Sequence, residues 1–263
     1  GFPVLFKEAN KLGVMSKVLI TGSTGFIAGM GQDDIMEGGL VAELLKKHEV
    51  YALVRPIAEF KPDKKALDGV NIEYGELTDF LTIDRVMKKD SPNIVLHLGA
   101  RTPVSYSFEQ PMDYQSINFM GTASIVTAAR GLPSLEKFIF ASTMESYGWQ
   151  PPGRLIIESA VQNPASPYAV SKVAAEHYVK MAGRAFGMPY IIMRACNSYG
   201  GKRFDTIIEY LTNSMLAGAT PHIGTPDAVR DFIYLSDHTQ AYIKAMEFEL
   251  GETREMEESV KND

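Results

Sequence analysis

Residues 17–27 read Lys17-Val18-Leu19-Ile20-Thr21-Gly22-Ser23-Thr24-Gly25-Phe26-Ile27. Val18 to Ile20 form a short apolar run, the pattern of a strand buried on both faces. Gly22 and Gly25 follow at once. That spacing suits a sharp turn in which backbone N–H groups approach a pyrophosphate at a helix N-terminus, with no side chain in the way. A bare Gly-x-x-Gly marks only a turn; directly behind a buried strand it marks a dinucleotide site.

Further along, short apolar runs alternate with amphipathic stretches. Strands are expected over 17–21, 50–54, 70–74, 94–98, 137–141 and 190–194, and helices over 40–47, 81–89, 114–130, 169–185, 205–217 and 238–248. This alternation implies parallel strands joined by crossover helices, an α/β fold with a doubly wound sheet. The stretch 200–227, with Gly-Ala-Thr-Pro-His-Ile-Gly-Thr-Pro at 218–226, breaks the alternation and fits a smaller lobe, with Pro226 and Asp227 as loop formers. The second strand ends in Val54-Arg55. A site preferring NAD places an acidic residue there for the ribose 2′-hydroxyl, whereas arginine suits a 2′-phosphate. Arg55 therefore favours NADP over NAD.

Two segments carry chemistry. Lys137-Phe-Ile-Phe-Ala-Ser-Thr-Met-Glu-Ser-Tyr-Gly148 is a buried strand ending in Ser142, Thr143 and Glu145, polar groups at the strand end where open parallel sheets bind ligands. Ser166-Pro-Tyr-Ala-Val-Ser-Lys172 places Tyr168 and Lys172 one helical turn apart on one face. An ammonium beside a phenol is expected to lower its pKa and make Tyr168 a proton acceptor. With 12 tyrosines in the chain, one Tyr-x-x-x-Lys arises readily by chance. Its weight comes from the two segments upstream.

Together these segments resemble the extended short-chain dehydrogenase/reductases of the nucleotide-sugar epimerase/dehydratase family. The likeness runs from about Met15 to about Glu249. It also takes in Gly-Glu-Leu-Thr-Asp at 75–79, His-Leu-Gly-Ala at 97–100, Asn118 with Gly121-Thr122, Asn-Ser-Tyr-Gly at 197–200 and Val-Arg-Asp-Phe at 229–232. The resemblance implies a Rossmann-type domain over 15–198 and a smaller, abbreviated C-terminal substrate-binding part over 199–263, interleaved with it. Residues 1–14 read as an N-terminal extension. It implies a cofactor site of Gly22, Thr24, Gly25, Phe26, Ile27, Arg55, Glu76, Leu77, Leu98, Ala100, Asn118, Tyr168 and Lys172, with Asn197 and Arg230 on the diphosphate of a nucleotide-sugar substrate. For Arg230, a salt bridge to Asp231 is the alternative.

The implied reaction starts with Tyr168 taking a proton from a sugar hydroxyl, at C4, as hydride leaves that carbon for the nicotinamide. Thr143 binds the same oxygen. Glu145 then separates the branches. A 4,6-dehydratase needs a further acid/base to eliminate water across C5 and C6, and dehydratases of the GDP-mannose type and UDP-glucuronate decarboxylases resemble this chain in having Glu at that position. Simple 4-epimerases more often have a small residue there. Met144 stands where dTDP-glucose dehydratases have Asp, which argues against that branch. A 4,6-dehydratase is favoured over 4-epimerase, decarboxylase or keto-sugar reductase; the rival of another class is a noncatalytic dinucleotide-binding sensor. Relatives commonly dimerise through helices matching 114–130 and 169–185.

Against the family pattern, Ala28 and the run Gly29 to Gly39 insert about nine residues behind the glycine turn. The insertion carries Asp33, Asp34 and Glu37, which would repel a pyrophosphate if they faced it. Folding outward and folding over the site are both open.

Composition narrows the function classes. The chain has 263 residues, 45% hydrophobic and 22% charged, as in ordinary globular proteins. A net charge of −6 offers no basic face for nucleic acid. No apolar run approaches the ~18 residues of a membrane span. The lone Cys196 suits a reducing cytoplasm and reads as a small buried side chain, and the five histidines show no metal-ligand spacing.

Overall fold

The computed structural model describes residues 15–32, 34–57, 61, 63, 65, 67–151, 153, 155–200, 206–224 and 228–250. The expected extension at 1–14, the tail from 251, Asp33, Pro226 and Asp227 lie outside the described residues.

Six apolar runs pair as one parallel sheet: β1 (Lys17–Thr21), β2 (Glu49–Val54), β3 (Val70–Tyr74), β4 (Ile94–His97), β5 (Lys137–Thr143) and β6 (Tyr190–Ala195), in the order β3-β2-β1-β4-β5-β6. Among the described residues seven helices accompany them: α1 (Leu40–Leu45), α2 (Phe80–Asp90), α3 (Pro111–Tyr114), α4 (Gly121–Ala129), α5 (Pro167–Phe186), α6 (Ile207–Leu216) and α7 (Leu235–Glu247). The period of two in each strand separates the core into two layers. Val18, Ile20, Val50, Ala52, Ile94, Leu96 and Ile139 face α1 and α7. Leu19, Leu53, Val95, Phe138 and Phe140 face α2, α4 and α5. Burial on both faces is why the central strands are apolar throughout rather than alternating. Each large side chain so buried contributes about 1.5–3 kcal/mol.

The strand order reverses between β1 and β4, which start adjacent crossovers in opposite directions and leave a crevice at their C-terminal ends. Thr21 lies opposite Leu53 on one side and His97 on the other, and Thr143 lies opposite Ala195. Thus the polar end of every central strand opens on the same edge of the sheet.

Local structure departs from the expected elements in two places. The expected helix over 114–130 is α3, a π-helical segment Gln115–Met120, and α4. The π turn brings buried Asn118 toward α5. Beyond β6, two three-residue strands, β7 (Asn197–Tyr199) and β8 (Phe232–Tyr234), pair in parallel as a separate ribbon. Neither is long enough to show a period in sequence. α7 then returns to the main sheet, where Tyr242, Ala245 and Met246 join the core, whereas α6 buries no residue.

Candidate active site

Gly22 has φ +70°, and a Cβ on it would lie 2.7 Å from the Gly99 nitrogen. Here the chain leaving β1 touches the chain leaving β4, so glycine is required for conformation and for space. The Gly25 N–H donates to Gly22 O at 2.9 Å and the Gly29 N–H to Gly25 O at 2.9 Å, forming the first helical turn.

The insertion leaves this turn undisturbed. Leu40 N–H donates to Ile27 O and Val41 N–H to Ala28 O, both at 3.0 Å. Those partners are thirteen residues apart where an unbroken helix has four, so nine residues are looped out and α1 resumes in register. The excursion closes on itself through Met36 N–H to Gly29 O and Gly31 N–H to Asp34 O, both 2.8 Å, and buries Met30 in the core. Thr239 Oγ1 also donates to Gly38 O, tying the loop to α7. Asp34 lies with Thr24 and Gly25 around a small side cavity of about 120 Å³.

A cleft of about 720 Å³ runs along the strand ends. From the β2–β3 side it is lined by Arg55, Glu76 and Leu77, then by Gly22, Thr24, Gly25, Phe26 and Ile27, then by Leu98 and Ala100. Thr143, Glu145, Tyr168, Lys172 and Asn197 line its far end. Fifteen residues singled out from the sequence thus meet in one crevice. Two others do not line it. Asn118 lies beneath, its amide fully used: Oδ1 accepts from Arg101 N–H at 2.8 Å, and Nδ2 donates to Arg101 O at 3.0 Å and Ser171 Oγ at 2.9 Å. It braces the turn of α5 that carries Tyr168 and Lys172. Arg230 is exposed and donates to Val229 O, and no Arg230–Asp231 salt bridge forms among the described residues. Cys196, expected to be buried, is half-buried on the cleft wall with its thiol 3.4 Å from Asp231 Oδ2.

The acid/base corner is built on two caps. Ser166 Oγ accepts from Ala169 N–H at 3.1 Å with Pro167 at the first helical position, starting α5 one residue before Tyr168. Thr143 caps a short 3₁₀ turn, its hydroxyl accepting from Glu145 N–H at 3.2 Å. Contrary to the sequence expectation, Tyr168 is not made acidic by Lys172. Burial pushes the phenol up to about 12; a hydrogen bond with Thr143 lowers it, while Glu145 and Tyr114 raise it further. Lys172 is itself shifted. It is fully buried, with Nζ 4.5 Å from the centre of the Phe140 ring, and desolvation brings it down to about 7 against a smaller upward effect of Glu176.

Several groups at the site were not visible as such in the sequence. His97 is enclosed between Thr21 and Thr122. Gly99 N–H donates to Thr21 Oγ1, which lies 2.6 Å from His97 Nδ1; His97 Nε2 lies 2.9 Å from Thr122 Oγ1, which donates to Asn118 O. This order of donors leaves Nδ1 as acceptor and the proton on Nε2. Burial, helped by Lys172, lowers His97 to about 3, so it is neutral. Glu176, entirely buried, accepts from Ser142 Oγ, from Gln162 Nε2 at 2.8 Å and from Arg194 Nε and Nη2 at 2.9 and 2.7 Å. Burial would raise its pKa, but the bonds from Arg194 and Ser142 outweigh it. Arg194 Nη1 reaches on to Tyr147 Oη and Glu158 O, both 2.8 Å, so this pair anchors the loop behind Glu145. At the cleft wall, His238 and Tyr242 on α7 are buried with their rings stacked. Apart from Thr122 with Asn118 and the last pair, none of these partners is near its mate in sequence.

Comparison with known proteins agrees with this architecture. Residues 18–256 match the NAD dependent epimerase/dehydratase family. The chain is 30% identical over 257 residues to the dTDP-glucose 4,6-dehydratase of Shigella flexneri and to dTDP-glucose 4,6-dehydratase 1 of Escherichia coli, covering 90% of this chain and 70% of each relative. Among solved structures it is similar to the UDP-glucose 4-epimerase of Thermotoga maritima with UDP-glucose (TM-score 0.76, 26% identity, 88% of this chain and 73% of that one). It is likewise similar to the UDP-glucose 4-epimerase of Thermus thermophilus with NAD (TM-score 0.75, 29% identity, 89% and 75%). With the family match spanning residues 18–256, the chain belongs to the NAD-dependent epimerase/dehydratase family of enzymes.

Proposed function

We propose that this chain binds NADP in preference to NAD, takes a nucleotide sugar, oxidises the sugar at C4, and then eliminates water as a 4,6-dehydratase. The observation that carries the reading is the placement of Glu145 in one crevice with Thr143, Tyr168 and Lys172. The cofactor fits the site: the Gly22–Gly25 turn presents backbone with no side chain, and the cleft volume is within the ~300–1,000 Å³ usual for such ligands. Bound NAD(P) supplies the hydride acceptor and a positive charge at this end of the cleft.

The chain's own residues do the rest. Tyr168 stands at the first turn of α5, whose N-terminal dipole favours an anion, and as the phenolate, its own proton having left to solvent, accepts the proton of the sugar hydroxyl at Oη. Thr143 holds that oxygen through its hydroxyl. Lys172 raises the local positive potential once it is protonated, and Asn118 fixes the turn on which both stand. Glu145 moves the proton that elimination requires. Asn197, on the wall, and Arg230, at the exposed end of the same region, bind the diphosphate. Arg55 at the end of β2 takes the 2′-phosphate.

The second reading, a 4-epimerase, is favoured by a different observation. Met144 is apolar and does not line the cleft, so Glu145 has no carboxylate neighbour at that position. Incubation of the protein with dTDP-glucose, GDP-mannose, UDP-glucose and UDP-glucuronate, followed by mass spectrometry and NMR, separates them. A product lighter by one water supports the dehydratase; an isomer of unchanged mass supports the epimerase; loss of carbon dioxide makes it a decarboxylase. We further propose a homodimer built on the helical segments matching 114–130 and 169–185, where Met120 and Val170 are exposed. A monomer in light scattering refutes it.

A further inference from the structure

His238 and Tyr242 stand one turn apart on the inner face of α7, and both line the cleft. They are 3% and 0% exposed, with ring centroids 5.3 Å apart and planes 25° from parallel. His238 Nδ1 lies 2.6 Å from Ser198 Oγ. Its Nε2, and the hydroxyl of Tyr242, are buried and have no hydrogen-bond partner in the protein. An unmet buried donor or acceptor costs about 1–3 kcal/mol. Ser146 Oγ and, on the cleft wall, Thr206 Oγ1 are unmet as well, but among the described residues only here do two unmet groups sit on adjacent, stacked rings at the wall of one cleft.

Their position identifies the ligand group. His238 is tied to Ser198, just beyond β6, and the pair lines the cleft together with Thr143, Tyr168 and Lys172, the Tyr168 phenol being near enough to Tyr242 to disfavour its ionisation, which sets the pair toward the acid/base end. On the dinucleotide reading above, on which this inference rests, that end receives the nicotinamide ring. A carboxamide presents one acceptor and two donor hydrogens in one plane. A Ser198 O–H donated to Nδ1 leaves the proton of neutral His238 on Nε2 as a donor, and the Tyr242 oxygen is free to accept. We propose that His238 Nε2 and the Tyr242 hydroxyl hold the carboxamide of the nicotinamide and so fix which face of the ring is turned toward Tyr168. They act as positioning residues for hydride transfer, with no proton to move themselves.

The test is the binding of NAD and of ADP-ribose, which lacks the nicotinamide, to wild type and Tyr242→Phe by calorimetry, with the melting temperature of each ligand-free protein. Removing an unmet hydroxyl leaves the ligand-free variant as stable as wild type or more so. ADP-ribose affinity stays unchanged, and NAD affinity falls about tenfold, the loss of one buried hydrogen bond. His238→Gln, which keeps an N–H near the Nε2 position, retains more NAD affinity than His238→Leu. A Tyr242→Phe protein that melts lower and binds NAD as well as before overturns the assignment, because the hydroxyl then serves the fold through internal water. If neither ADP-ribose nor its 2′-phosphorylated form binds even wild type, the dinucleotide reading is wrong and this inference falls with it. If ADP-ribose binds and the NAD affinities match, only the carboxamide assignment fails.

Discussion

Acid should weaken this fold through one identifiable side chain. His97 is buried at the point where β1 and β4 part, flanked by the hydroxyls of Thr21 and Thr122 and held neutral. Its pKa is about 3 in the folded chain, against a reference of 6.5. The folded value is the lower, so the unfolded chain takes up the proton first. Stability is therefore fully present above pH 6.5 and is lost as pH falls toward 3. Within that window one extra proton bound by the unfolded state costs about 1.4 kcal/mol per pH unit, or about 2.5 kcal/mol between pH 7.5 and 4.5. Urea unfolding of wild type and His97→Gln across that range isolates this share, since His238 and the carboxylates titrate in both proteins. Glutamine can keep the bond to Thr122 but leaves the Thr21 hydroxyl unmet, so the variant starts about 1–3 kcal/mol less stable at pH 7.5. The two curves should then converge as the pH falls. Parallel curves would mean that His97 ionises in place and is not held neutral between Thr21 and Thr122.

Four further outcomes are expected. Tyr168→Phe keeps dinucleotide binding and loses turnover, measured by product formation; a protein whose biological activity survives that change is a sensor and no enzyme. Arg55→Ala lowers NADP affinity about 10- to 100-fold and leaves NAD within a few-fold, the share of a charge-assisted bond to the 2′-phosphate, and equal losses for both cofactors refute the NADP preference. Deleting residues 30–38, which joins Gly29 to Gly39, gives one continuous helix from the glycine turn into α1; ADP-ribose affinity should change by less than about 1 kcal/mol, and loss of binding shows the excursion to be part of the site. Arg194→Met strands buried Glu176 without its main partner and lowers stability in urea by about 3–5 kcal/mol, whereas a loss below about 1 kcal/mol means Ser142, Gln162 and Lys180 suffice.

What could and could not be read from the sequence divides along a physical line. Strand positions 18, 50, 94 and 138 are legible because a strand covered on both faces must be apolar at every residue, and the glycines at 22 and 25 are legible because the turn admits nothing larger. Tyr168 and Lys172 are legible because one helical turn separates them. The pKa of Tyr168 is not, since it depends first on how deeply the fold buries the phenol, and then on Thr143 and Glu145, brought to it from the end of β5. The same limit hides Glu176 with Arg194, and His97 with Thr21 and Thr122, each joined across the sheet. The insertion shows the limit most sharply. Its charges, Asp34 and Glu37, invite the conclusion that a phosphate site was lost, but charge content says nothing about where a loop goes. The decisive fact is backbone geometry: a helix can expel residues and keep its register whenever the two chain ends at the base lie as close as consecutive residues. Gly29 and Gly39 satisfy that condition, because a Cβ on Gly39 would lie 3.2 Å from the Gly29 Cα. Two glycines at the base of a loop are thus the sequence trace of a closed excursion, and only the hydrogen bonds from Leu40 and Val41 across it tell that trace from an ordinary turn.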